Sequence, residues 1–294
     1  MIANELPYVE RSWRSHDGLR LMARDYAAAA GPARCPIVCI HGLTRNSADF
    51  EAVAPWLAAQ GRRVLAVDIR GRGKSEYDSD HSHYNPLVYA RDVAQLLEEL
   101  GIARAVFIGT SMGGIITMTL AMRHRHLIAG AVLNDVGPRL SQRGLSRIAG
   151  YVGTGVPVDS WHAAAAACKA INAVAFPHHT DADWLQWAHR TFAQNEDGSF
   201  RPQYDPGIAI AIKQGKVKTS SLMARWAFRR LARRVPTLLL VGGISDLIEA
   251  PEIAAMRADA PQMRVVEVPD VGHAPMLDEP VSQAALSAFL AHVP

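Results

Sequence analysis

FIGTSMGGII, residues 107–116, poses the question on which the fold turns. An apolar stretch ends in Gly109, Ser111 stands two residues on, Gly113 and Gly114 follow, and a second apolar stretch begins. Gly109-Thr110-Ser111-Met112-Gly113 therefore reads G-x-S-x-G. The residues before it, AVFIG (105–109), suit a strand. Those after it, IITMTLAMRHRHL (115–127), carry helical spacing. A strand that passes at once into a helix needs a tight bend, and side chains at its flanks would collide, so glycines are required there. The serine is then held out above the carboxyl edge of the sheet. Free N–H groups and the positive end of the helix dipole lie beside it. A serine that merely packs a strand–helix junction would look the same locally, so the rest of the chain must discriminate.

Working outward, short and almost purely apolar runs recur: PIVCI (36–40), VLAVDI (64–69), AVLND (131–135), TLLLVGG (237–243) and RVVEV (264–268). Runs without alternation fit strands buried on both faces, as in a parallel sheet covered by helices. Helical spacing fills the intervals, in FEAVAPWLAAQ (50–60), PLVYARDVAQLLEEL (86–100), PEIAAMRADA (251–260) and VSQAALSAFLAHV (281–293). Pro86 opens the second of these and Gly101 closes it. YVERSWRS and LRLMARDYA alternate near the start, which predicts two antiparallel edge strands. Strand alternating with helix implies a doubly wound α/β sheet.

Residues 138–236 break the rhythm, with no clear buried strand. WHAAAAACKAINAVA (161–175), DADWLQWAHRTFAQ (181–194), IAIAIKQG (208–215) and SLMARWAFRRLARR (221–234) read as helices. The expectation is a helical cap at 138–236 inserted into a core domain made of 1–137 and 237–294. Trp184 and Trp187 share a helix face by i, i+3 spacing and are candidates for the substrate pocket, although such a pair equally packs a cap. Arg225, Arg229, Arg230, Arg233 and Arg234 interleave with Trp226, Phe228 and Leu231. They read as a solvated face with its apolar residues turned inward rather than as a membrane or anion surface.

Composition narrows the classes. With 49% hydrophobic residues among 294, the chain can fill a core. Its 31 basic and 28 acidic residues leave a net charge of +3, which argues for no nucleic-acid partner. No apolar run approaches the length of a membrane span, and MIANELPYVERSW lacks the pattern of a secretory signal. Cys35 and Cys39, four residues apart in an expected strand, are too far apart to join. With Cys168 they suit a reducing cytoplasm. The GRGKS at 71–75 is not a phosphate-binding loop: position 68 is aspartate, and EYDSDHSHYNP cannot start a helix promptly. The pairs His81 and His83, His124 and His126, and His178 and His179 lack the carboxylate or cysteine companions of a metal site in the sequence.

Four further segments carry a resemblance. His41-Gly42-Leu43-Thr44 follows the PIVCI strand. Asp68-Ile69-Arg70-Gly71-Arg72-Gly73-Lys74-Ser75 reads D-x-R-G-x-G-x-S. Gly243-Ile244-Ser245-Asp246 follows TLLLVGG, and Gly272-His273-Ala274-Pro275 follows RVVEV. With G-x-S-x-G, these make the chain resemble the α/β-hydrolase superfamily over nearly its whole length, in the branch with a serine nucleophile. The resemblance implies Ser111 as nucleophile, His273 as base and Asp246 as the acid, in the chain order that fold uses. Asp135 ends another strand, and some relatives place the acid there. The N–H groups of Leu43 and Met112 are implied as the oxyanion hole. His41 is expected to orient its loop, and Asp68 and Arg70 to hold their own turn.

The chemistry explains these residue types. A serine hydroxyl attacks only as a histidine takes its proton, and a carboxylate must fix the imidazole tautomer. The oxyanion needs preorganised donors. A serine excludes the relatives that use an aspartate nucleophile. The expectation is hydrolysis of a small carboxylic ester or lactone through an acyl-enzyme, without cofactor or metal. Carbon–carbon hydrolysis of a vinylogous diketone and a receptor without turnover stand as alternatives. The sequence sets neither the natural substrate nor the oligomeric state.

Overall fold

The apolar runs become strands, and those inside the sheet are buried on both faces because each side is roofed by helices, whereas RVVEV forms a partly exposed edge. The computed structural model describes residues 7–154, 158–215 and 218–294. Residues 1–6 of the stretch tested for a secretory signal lie outside these. The core opens with β1 (Val9–Arg14), β2 (Arg20–Tyr26) and β3 (Ile37–Ile40), followed by α1 (Val53–Ala59) and β4 (Val64–Asp68). Then come α2 (Pro86–Glu99), β5 (Ala105–Thr110), α3 (Met112–His124) and β6 (Ile128–Asn134). Next lie α4 (Gln142–Tyr151), α5 (Trp161–Asn172), α6 (Asp181–Thr191), β7 (Phe192–Gln194), β8 (Phe200–Pro202), α7 (Ala209–Lys213) and α8 (Leu222–Ala232). The chain ends with β9 (Thr237–Gly242), α9 (Ala250–Asp259), β10 (Arg264–Val268) and α10 (Pro280–Leu290).

Eight strands form one sheet in the order β1-β2-β4-β3-β5-β6-β9-β10. β1 pairs antiparallel with β2, and β2 antiparallel with β4; the remaining neighbours are parallel. The alternation of a strand sorts its side chains between two cores. Phe107 of β5 faces α2, α3 and α8, in the cluster that holds Leu96, Leu120 and Phe228. Val106 and Ile108 face α1 and α10, with Leu57 and Phe289. Parallel strands send their carboxyl ends to one edge, so the loops after β3, β4, β5, β6, β9 and β10 converge there.

The region expected as a cap divides in two. Residues of α5 and α6 build a small core of their own around Ala164, Phe176, Trp184 and Trp187. α8 instead joins the main core, where Ala227, Phe228 and Leu231 are buried beside α3. α8, which lies within the stretch 138–236 expected as a cap, thus packs with the sheet domain. Trp226 departs from the inward orientation expected for it: it is 49% exposed, beneath the Arg230 guanidinium. Arg225 and Arg229 pair with Asp259. Two elements had no signal in the sequence reading, α4 and the β7–β8 hairpin. No helix among the described residues is long and apolar enough to cross a membrane.

Candidate active site

Ser111 sits between β5 and α3 with φ of 53° and ψ of −114°, a left-handed conformation that a residue other than glycine adopts only under constraint. The constraint is visible. A Cβ on Gly109 would strike the backbone of Gly113 and Gly114, and one on Gly113 would strike the Ile40 carbonyl. Both glycines thus let the helix start close against β3 and β5. The Ser111 N–H donates to the Asn134 carbonyl at 2.9 Å, and the Ser111 carbonyl accepts from Gly114 and Ile115. The elbow is held, and its hydroxyl is left for other work.

That hydroxyl meets His273. Ser111 Oγ lies 2.8 Å from His273 Nε2, and His273 Nδ1 lies 2.7 Å from Asp135 Oδ2. A single tautomer fits both contacts, with Nδ1–H donating to the carboxylate and Nε2 free to take the serine proton. Asp135 follows β6 with φ of 56° and has no solvent exposure. Its Oδ1 accepts the Gly242 N–H at 3.0 Å, and its Oδ2 also accepts the Ser245 hydroxyl at 2.6 Å. The buried carboxylate therefore has a donor at every turn, which a buried charge needs.

This corrects the choice of acid. Asp246 does not hold His273. Its carboxylate is taken by Arg147 of α4 in a two-pronged pair, 2.6 Å from Nε and 2.8 Å from Nη2. That hydrogen-bonded guanidinium holds the Asp246 carboxyl below the usual carboxylate range. The residue before it, Ser245, is the part of this loop that reaches the site. Asn134, also unremarked in the sequence, ties two loops together: its amide donates to Thr110 Oγ1 at 3.0 Å and to the Pro275 carbonyl at 2.8 Å.

The two residues expected at the oxyanion hole flank the serine. Met112 is the first residue of α3, where N–H groups lack intrahelical partners. Leu43 follows β3 and lines the same cavity as Ser111 and His273. His41 is fully buried, lying against the Gly42 carbonyl through Nδ1 and accepting the Ile69 N–H at Nε2. Burial pulls its imidazole down to about 3, so it stays neutral and acts as a brace. Asp68 braces its turn as expected, accepting from Ser47 and Lys74 N–H groups. Arg70 does more than hold its turn: it pairs with Asp17, Asp78 and Asp92. His83, expected to lack acidic company, lies 2.9 Å from Asp78, in the acidic niche that Arg70 already occupies.

Above Ser111 is a cavity of about 150 Å³. Trp187 lines it, with the Arg45 guanidinium 4.5 Å over its ring. Trp184 does not line it. It is 2% exposed and packs against His179 and Trp187, so the shared helix face points into the small helical core and only its last turn reaches the pocket. Arg45 also donates to Thr191 Oγ1 and pairs with Asp49, which joins the loop after β3 to the end of α6. Ala175 accepts the Gly272 N–H at 2.7 Å, beside the histidine.

Comparison with known proteins agrees with this architecture. The sequence profile of the Alpha/beta hydrolase family matches residues 37–286. A 3-hydroxybutyrate-oligomer hydrolase of Cupriavidus necator is 34% identical, with 92% of this chain and 93% of that protein covered. An sn-1-specific diacylglycerol lipase of Mus musculus is 28% identical, covering 95% and 89%. The crystal structure of an alpha/beta hydrolase from Novosphingobium aromaticivorans superposes with a TM-score of 0.89 at 40% identity, covering 98% and 99%. With an elbow serine, a profile match over most of its length and relatives that are hydrolases, the chain belongs to the alpha/beta hydrolase family.

Proposed function

We propose that the chain hydrolyses a small carboxylic ester or lactone, with Ser111 as nucleophile, His273 as general base and acid, and Asp135 as the orienting carboxylate. The observation that carries this reading is the continuous chain Ser111 Oγ–His273 Nε2 at 2.8 Å and His273 Nδ1–Asp135 Oδ2 at 2.7 Å. Ser111 Oγ attacks the carbonyl carbon while Nε2 takes its proton. The resulting oxyanion is met by the N–H groups of Leu43 and Met112. Asp135 stabilises the imidazolium without taking its proton. His273 then protonates the leaving alkoxide, and the acyl group remains on Ser111. Water, losing a proton to Nε2, attacks the acyl carbon. The acid departs, and Ser111 regains its proton.

The cavity of about 150 Å³ suits a small acyl group, since a space of about that size takes a benzene-sized molecule. A relative that acts on 3-hydroxybutyrate oligomers fits that limit. Three unpaired cysteines suit a reducing cytoplasm.

The test is hydrolysis of a p-nitrophenyl ester series, several lactones and 3-hydroxybutyrate oligomers, with Ser111→Ala alongside. The expected result is serine-dependent turnover that falls as the acyl chain outgrows the cavity. Wild-type rates in Ser111→Ala would overturn the mechanism. A folded protein inert to the whole panel would move the reading to carbon–carbon hydrolysis or ligand reception.

A further inference from the structure

Arg72 occupies the variable position between the two glycines of the D-x-R-G-x-G-x-S turn and has no solvent exposure. Its neighbour in sequence, Arg70, is neutralised by three carboxylates. Arg72 has no carboxylate partner among the described residues. Its donors go to neutral groups: Nε to the Leu43 carbonyl at 2.9 Å, and Nη1 to the Arg70 carbonyl and the Tyr89 hydroxyl, both at 2.9 Å. Nη2 reaches Met112 Sδ at 3.4 Å. The guanidinium is seated over the Tyr89 ring, 4.9 Å from its centroid, with Tyr84 at 5.7 Å. An arginine stays charged in proteins, and a buried charge without a counterion is a standing cost to the fold.

The two ends of this side chain fall on the two residues whose N–H groups face the oxyanion. Holding the Leu43 carbonyl fixes the turn that aims the Leu43 N–H. Holding Met112 through its sulfur steadies the first residue of α3. Arg72 does not line the cavity, so it acts through these neighbours. A fixed cation behind the donors is also the arrangement that electrostatic preorganisation calls for, because negative charge develops in front of them.

We propose that Arg72 is the positioning residue of the oxyanion hole, clamping Leu43 and Met112 with one guanidinium and placing its unneutralised charge behind them. The proposal rests on the serine-hydrolase reading above. It gives a use to a buried cation that the triad alone does not explain.

The test compares wild type, Arg72→Met and Arg72→Lys on a short p-nitrophenyl ester. Each protein is checked by melting and circular dichroism, and its inhibition is measured with a trifluoromethyl ketone, a mimic of the tetrahedral state. The expected result for Arg72→Met is a kcat loss of about 10- to 100-fold with KM nearly unchanged, a part of what one lost oxyanion donor costs. The ketone should lose affinity by a matching factor, as a transition-state mimic must. Arg72→Lys keeps the charge but cannot span both neighbours, so its loss should be intermediate in both readouts. If Arg72→Met does not fold, Arg72→Lys decides alone. Unchanged kcat and ketone affinity in a folded variant, or a rise in KM only, would overturn the proposal. Turnover that survives Ser111→Ala, or no turnover by wild type, would count against the reading of the site itself. Serine-dependent turnover indifferent to Arg72 would sink only this inference.

Discussion

Asp135 leaves β6 and Asp246 follows β9, on two strands paired side by side through Asn134 and Leu240. Both are aspartates at the carboxyl edge of the sheet, yet their surroundings differ at each step. Asp135 turns immediately after its strand through a left-handed backbone and is sealed from solvent among N–H and O–H donors. Asp246 lies four residues beyond its strand, half-buried, and faces a cation. A carboxylate that must accept an imidazole proton donor has to be ionised, dry and free of competing cations. One bound two-pronged to a guanidinium has its oxygens committed. The distance of a residue from its strand's end thus matters less than what its neighbours leave it to bind.

Substitutions can break this contrast. Asp135→Asn should cost the most, about 10³- to 10⁴-fold in kcat on a p-nitrophenyl ester, because the amide favours the wrong imidazole tautomer. Asp246→Asn should cost less than about tenfold in the same assay. A reversed order would return the acid's role to Asp246. Ser245→Ala sharpens the contrast further. Removing one of the donors to the Asp135 oxygen that His273 also uses should lower kcat by about three- to tenfold, the value of one modest hydrogen bond.

The smallest effects concern stability. Asp246→Asn frees a partly exposed Arg147, so the melting temperature should fall by about 2–3 °C, in line with about 1 kcal/mol in a chain of this size. Acid should erase that difference. Because Arg147 lowers the pKa of Asp246, the ion pair's contribution is complete above the ordinary carboxylate value of 3.8 and disappears as pH falls through the lower folded value. Melts of wild type and Asp246→Asn should therefore differ at pH 6 and draw together only as pH falls below 3.8. A gap that widened on acidification would contradict the pairing.

The inner strands are legible because they are buried on both faces and show as apolar runs: Val64–Asp68 differs by one residue from the stretch the sequence marks, and the edge strand Arg264–Val268, only partly buried, coincides with its own. The elbow was legible because glycines there have a steric reason that depends on no distant residue. The choice between the aspartates was not, and the cause is specific. The helix that supplies Arg147, α4, was not recognised. Its sequence, QRGLSRIAGY, has two glycines and few apolar residues, so the sequence shows no helix there and no competitor for Asp246. Trp184 failed for a related reason. Spacing tells which residues share a face, but not whether that face meets a cavity or a neighbouring helix. Arg72 was hidden at a position the turn motif leaves open.

The Gly272 N–H is bonded to the Ala175 carbonyl, and Val271 and Met276 pack against the small helical core. Ser111 rests instead on β3 and β6 of the sheet. The nucleophile thus rests on the sheet, while the base is held from both sides, by Asn134 and Asp135 at the sheet edge and by Ala175 of the helical part. The histidine loop is therefore the seam of the molecule, where the helical part above the cavity and the sheet beneath it jointly fix the place of one side chain.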